Sequence, residues 1–108
     1  MAAPLTPELL ELLAERFRAL GEPARLHLLG AMREGELTVT ELVEATGLGQ
    51  ANVSKHLQIL HTLGFVTRRK EGLFAYYSLA DDCVFRLCDT LCDRIGAEAL
   101  ARQQLLAS

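Results

Sequence analysis

Apolar side chains recur at three- and four-residue spacing from the start of the chain. Leu10, Leu13, Phe17 and Leu20 fall on one stripe and Leu9 and Leu12 widen it. Thr6-Pro7-Glu8 supplies a cap, a first-turn proline and an acid at the positive end of the dipole. The pattern predicts a helix from about Pro7 to Leu20 that buries two sides. Gly21 stops it, and Glu22-Pro23 begins a second helix with Leu26, Leu29 and Met32 inward, ended by Gly35. Leu37-Thr38-Val39 is long enough only for a bridging strand. Thr40 then caps a short third helix, Glu41 to about Thr46, with Leu42 and Val43 inward, and Gly47-Leu48-Gly49 makes a tight turn. Gln50 opens a fourth helix whose Val53, Leu57 and Leu60 mark a buried face. Phe65 to Lys70 and Leu73 to Leu79 are β-prone runs. Glu71-Gly72 between them is a two-residue hairpin signal with Glu a less favourable first residue. Asp81 or Asp82 caps a last helix reaching to about Gln104, with Val84, Leu87, Cys88, Leu91, Ile95 and Ala99 along one stripe.

Two short helices joined by a glycine-containing turn, residues 40–64, form a helix-turn-helix, and the hairpin at 65–79 is a wing. The expected fold is mainly α with a small β-hairpin, a winged helix-turn-helix in the order helix, helix, (strand), helix, helix, strand, strand, helix. It makes one domain over residues 1–108, with 1–6 loose and 82–104 the closing helix.

Composition sharpens the picture. With 108 residues, half of them hydrophobic, the chain is more apolar than a domain of this size readily buries, which points to a second copy. No run approaches the roughly 20 apolar residues of a membrane span, so no membrane partner is expected. The first residues, MAAPLTPE, lack the basic region and apolar block of a secretory signal, and three cysteines cannot close into a complete intrachain disulfide framework. A reducing cytoplasm is the expected compartment.

The formal net charge of −3 argues against a polyanionic partner until it is divided along the chain. Residues 1–50 sum to −4, residues 51–80 to +3 and residues 81–108 to −2. Only the middle segment is basic, through Lys55 and the run Arg68-Arg69-Lys70. An acidic body with one positive strip suits phosphate binding.

A helix that enters the major groove needs short or amide-bearing side chains on its first turns. With Val53 and Leu57 inward, Ala51, Ser54, Lys55 and Gln58 turn outward at about 100° per residue. Gln50 and Asn52 are assigned to base edges, Ser54 and Lys55 to bases or phosphates, and Arg68, Arg69 and Lys70 to phosphates beside the site. The competing reading makes this a solvated helix face and the basic run a charged edge strand that discourages aggregation.

The residues resemble a known family, the ArsR/SmtB winged-helix repressors of bacteria. The matching stretches are Ala19-Leu20-Gly21-Glu22-Pro23-Ala24-Arg25-Leu26, Thr40-Glu41-Leu42, Gly47 through Leu57, Leu63-Gly64-Phe65-Val66 and Tyr76-Tyr77. The resemblance implies a homodimer built from the first and last helices, here through Leu10, Leu13, Phe17, Val84, Cys88, Leu91 and Ile95. It also implies an inverted-repeat operator on double-stranded DNA and release by an inducer. Gly49 stands where the family usually has a serine cap, and glycine is an acceptable cap.

Metal-sensing members commonly carry Cys-x-Cys in the helix before the recognition helix, or Asp and His ligands on the last helix. Here the third helix reads ELVEAT and the last helix has no histidine. His27, His56 and His61 are read as structural or DNA-proximal, with His56 where the family usually has histidine. That leaves Cys83, Cys88 and Cys92. On a regular helix Cys88 and Cys92 lie about 40° apart, while Cys83 is about 140° from Cys88 and about 180° from Cys92. All three thiols gather only if the first turn unwinds or the two subunits share them. Three readings stay open: packing, a site for a thiophilic metal or metalloid ion, and a redox or persulfide switch. No other cofactor is called for. An enzyme is not expected, because no nucleophile motif or phosphate-binding glycine loop is present. A winged helix that binds another protein is the remaining alternative.

Overall fold

The computed structural model describes residues 4–107. Its elements are α1 (Pro7–Leu20), α2 (Pro23–Ala31), β1 (Leu37–Thr38), α3 (Val39–Thr46), α4 (Gln50–Thr62), β2 (Val66–Glu71), β3 (Phe74–Leu79) and α5 (Cys83–Ala107). The winged helix-turn-helix order predicted above is the order found. Of the loose start assigned to residues 1–6, the first three lie outside the described residues. Thr6 caps α1, its Oγ1 accepting from Leu9 N at 3.2 Å.

Four boundaries depart from the sequence reading, two of them for a clear local reason. First, α2 ends at Ala31 rather than Gly35, and Leu26, expected inward, is 39% exposed while Leu28 is buried. Second, Thr38 rather than Thr40 caps α3. A capping box requires an acid three residues after the cap, and that acid is Glu41. Thr38 Oγ1 accepts from Glu41 N at 3.2 Å, and Thr38 N donates to Glu41 Oε1 at 2.9 Å. Third, the hairpin turn is Gly72-Leu73, since Glu71 pairs with Phe74. Gly72 takes φ +61° and no other residue type has positive φ among the described residues. Sliding the turn by one residue gives glycine the left-handed position that Glu71 would have resisted. Fourth, α5 runs past Gln104 to Ala107, while of the two aspartates expected at its start it is Asp81 that supplies the side chain, Oδ1 accepting from Cys83 N at 2.9 Å.

The sheet order is β1-β3-β2, all antiparallel, with Leu37 opposite Tyr77 and Arg68 opposite Tyr77 on the other side. One core lies between the helices and the inner sheet face. It joins Leu28, Leu29 and Met32 of α2, Leu42 of α3, Val53, Leu57 and Leu60 of α4, Val66 of β2 and Val84 of α5. α1 buries only Ala19. Its Leu10, Leu13 and Phe17 stay exposed, as do Leu87, Leu91 and Ile95 of α5. The radius of gyration is 16.7 Å, against about 13 Å for a compact chain of this length. The excess comes from α5, whose residues from Asp89 to Leu106 are exposed.

Candidate nucleic-acid interface

The outward face of α4 follows from its buried one. Val53, Leu57 and Leu60 are fully buried, which turns Ala51, Ser54, Lys55 and Gln58 to solvent with Asn52 on one flank and Gln50 at the tip. All six are exposed. Gly47, with φ +74°, closes α3 in the left-handed conformation and redirects the chain within two residues into α4. The cap at Gly49 contributes no side chain, so the first amide groups of α4 face outward at the positive end of the dipole.

The wing divides the basic run that is continuous in sequence. Side chains alternate across a strand, so Arg68 and Lys70 share the face of Val66, whose cross-strand neighbours Tyr77 and Leu79 pack on the core. Arg69 takes the opposite face. There its guanidinium donates to Glu36 at 2.6 and 3.3 Å and to Glu71 at 2.5 Å, and it lies 4.6 Å over the Tyr76 ring. The bond from Arg69 holds the Glu36 carboxyl below the usual carboxylate range, and the two acids push Arg69 further up. Arg69 is therefore withdrawn from the set of free cations. Lys55, Arg68 and Lys70 have no acidic partner among the described residues, and Arg68 rests only loosely on Tyr77, 6.0 Å from the ring centre.

His56 is also redirected. It is half-buried, and its Nδ1 accepts from Arg25 Nε at 3.1 Å. Arg25, to which the sequence reading assigned no role, donates a second bond to the Ala19 carbonyl at 3.1 Å. Nothing local in the sequence signals this pairing across 31 positions.

The three cysteines line two different grooves. Cys83 sits with Leu13, Phe17, Leu20, Phe65 and Leu87 in an apolar groove of about 160 Å³ between α1 and α5. Cys88 and Cys92 line a groove of about 260 Å³ between α2 and α5 with Leu26, Arg33, Phe85 and Asp89. Burial, with Cys92 and Asp89 nearby, pushes the Cys88 thiol up. No group of three or more His, Cys, Asp or Glu among the described residues is placed to hold a metal ion. Val84, expected at a subunit interface, is 4% exposed within its own chain's core and has almost nothing to offer a partner.

The comparisons with known proteins agree in one direction. Residues 22–68 match the family model described as bacterial regulatory protein, arsR family. The chain is 40% identical over 88 residues to the HTH-type transcriptional regulator NmtR of Mycobacterium tuberculosis, covering 82% of this chain and 73% of that one. It is 39% identical over 83 residues to a transcriptional repressor SmtB homolog of Synechocystis, covering 77% of this chain and 63% of that relative's length. Among solved structures it is similar to a homodimeric winged helix-turn-helix DNA-binding domain from Mycobacterium bovis, with a TM-score of 0.71 and 33% identity over 91% of this chain and 92% of that one. In the described residues no helix is long and apolar enough to cross a membrane.

Proposed function

This chain belongs to the arsR family of bacterial regulatory proteins, and from that premise we propose that it is a homodimeric, DNA-binding transcriptional repressor of an inverted-repeat operator. The observation that carries the reading is the coincidence of a polar, solvent-facing α4 with three unpaired cations, Lys55, Arg68 and Lys70, on an otherwise acidic body. Gln50, Asn52 and Ser54 read base edges, and the cations neutralise phosphates. Leu10, Leu13 and Phe17 of α1 with Leu87, Leu91 and Ile95 of α5 are covered by the second copy, which sets two α4 helices against successive major grooves, about 34–36 Å apart for adjacent half-sites. The test is titration of a fluorescent duplex from upstream of its own gene against a scrambled duplex, at several salt concentrations. Preference for the upstream duplex with a steep salt slope is the expected result. Equal, salt-insensitive binding to both removes the DNA reading and favours a protein partner.

A thiol-gated release is the second reading, favoured by Cys88 and Cys92 sharing one groove beside α2. One protomer's donors do not fit a three-ligand metal site, because Cys83 lines the other groove, so no step is derived through a metal ion. A thiophilic agent reaching Cys92 and Cys88 would act where α5 leaves its own chain's core. Arsenite, cadmium and a persulfide donor added to the DNA complex test it: release must disappear when Cys88 and Cys92 are both changed to serine. Release that survives that change, or none with any agent, leaves the cysteines as packing.

A further inference from the structure

Among the described residues, α4 makes a single side-chain hydrogen bond to the rest of the protein, and that bond lies off its outward face. Arg25, carried on α2, donates from Nε to His56 Nδ1 and from Nη1 to the carbonyl of Ala19 in the last turn of α1. One half-buried guanidinium therefore spans three helices. Apart from the backbone bonds at its two ends, the other side-chain contacts holding α4 are apolar, through Val53, Leu57 and Leu60 in the core. Apolar contacts are non-directional and tolerate rotation of a helix about its axis. A planar guanidinium bonded to a ring nitrogen does not, because hydrogen bonds weaken steeply off-line.

The position of the bond matters for what α4 presents. His56 follows Asn52 by four residues, so the two lie about 40° apart on the helix surface. A turn of the helix that breaks the bond carries Asn52 with it. Gly49 provides no side-chain cap, so His56, in the second turn, is the first side chain that restrains the helix by a hydrogen bond. At the far end of the guanidinium, Ala19 is the one buried residue of α1, the helix whose apolar face awaits the second copy. The bond thus ties the reading surface to the dimer-forming helix.

We infer that Arg25 is a positioning residue for operator recognition: without touching base or phosphate, it sets the rotation of α4 relative to α1 and so the match to both half-sites. The inference rests on the DNA-binding reading above. Arginine has donors only, so His56 Nδ1 serves as the acceptor. Asparagine at that position places an oxygen near the same point and keeps the bond, whereas leucine removes it.

The experiment uses the full chain and the same two duplexes, upstream and scrambled, across a salt series, with Arg25→Gln, His56→Leu, their double variant and His56→Asn. Arg25→Gln and His56→Leu are each expected to weaken upstream-duplex binding about ten- to a hundredfold, the range spanned by a hydrogen bond to a charged group. Scrambled-duplex affinity should hold within about threefold and the salt slope should stay unchanged, since no phosphate contact is lost. The double variant should be no worse than the worse single one, and His56→Asn should restore preference. If Arg25→Gln does not fold, as judged by its melting curve, His56→Leu removes the same bond from the other side. Parallel losses on both duplexes with a shallower slope would make Arg25 a phosphate contact and overturn the inference, as would additive losses or none. A wild-type protein without preference for the upstream duplex removes the DNA reading itself and the inference with it.

Discussion

Arg68 and Arg69 are adjacent in sequence, yet their removal should have different consequences for DNA binding. Each phosphate neutralised by a side chain adds about 0.9 to the slope of log affinity against log salt. A homodimer carries two copies, so Arg68→Ala should make the slope shallower by about 1.8. Between about 50 and 200 mM salt that difference amounts to about twelvefold, so the variant's penalty at low salt exceeds its penalty at high salt by that factor. Arg69 starts from another state. It is bonded to Glu36 and Glu71, and the Glu36 carboxyl, held below its usual range, stays ionised at neutral pH. The trio carries a net charge of −1 and releases no counterion from DNA. Arg69→Ala should therefore change the slope by less than about 0.5. Fluorescence anisotropy with one duplex at five or six salt concentrations measures both. Equal flattening by the two substitutions would refute the division of the wing into a phosphate face and an ion-paired face.

Three further outcomes follow from the packing. Leu91 is 57% exposed on α5, and Leu91→Asp, which places a charge in the apolar surface left for the second copy, should halve the solution mass in sedimentation equilibrium; an unchanged mass would place the subunit contact elsewhere. Thr38→Ala should cost about 1 kcal/mol of stability in urea unfolding, the usual worth of an N-cap, whereas Thr40→Ala should stay within about 0.5 kcal/mol; the reverse order would restore Thr40 as the cap. Burial favours the neutral thiol of Cys88 in the native state, so its stabilising contribution is whole below the ordinary thiol range near 8.5 and is lost as pH rises through the raised native value. Iodoacetamide at pH 8 should modify exposed Cys92 before Cys88, and mass spectrometry finding the opposite order would refute that assignment of environments.

The features legible in the sequence were those with a short period or a local chemical rule. Val53, Leu57 and Leu60 marked the buried face of α4, and with it the outward set from Ala51 to Gln58, because helical spacing is a local property. The rule that places the α3 cap is also local: Thr38, unlike Thr40, has an acid, Glu41, three residues on. The hairpin turn slid by one residue for the same kind of reason, since only Gly72 accepts a positive φ without strain. The internal partners of Arg69 and His56 are not legible locally, because Glu36 and Arg25 lie 33 and 31 positions away. Adjacent basic residues look like one patch until strand alternation separates them. Val84 shows a different limit: periodicity marks a face as apolar without saying whether its own chain or a second copy covers it.

That ambiguity along α5 has a structural resolution that bears on regulation. The first turns of the helix belong to the protomer: Val84 is in the core, Phe85 and Cys88 pack against it, and Arg33 of the turn after α2 lies 4.5 Å over the Phe85 ring while pairing with Asp89 at 3.0 Å. Leu91 and Ile95, further along the helix, are exposed. The change of ownership falls between Cys88 and Cys92. Any group bound there sits where α5 leaves its own chain's core, and in the proposed homodimer a tilt of the helix at that turn would change the angle between protomers. Release of DNA requires a coupling of only about 1–3 kcal/mol. The Arg33–Asp89 pair is exposed, and an exposed ion pair contributes about 1 kcal/mol or less, so a helix held by it could be shifted by a ligand of ordinary differential affinity.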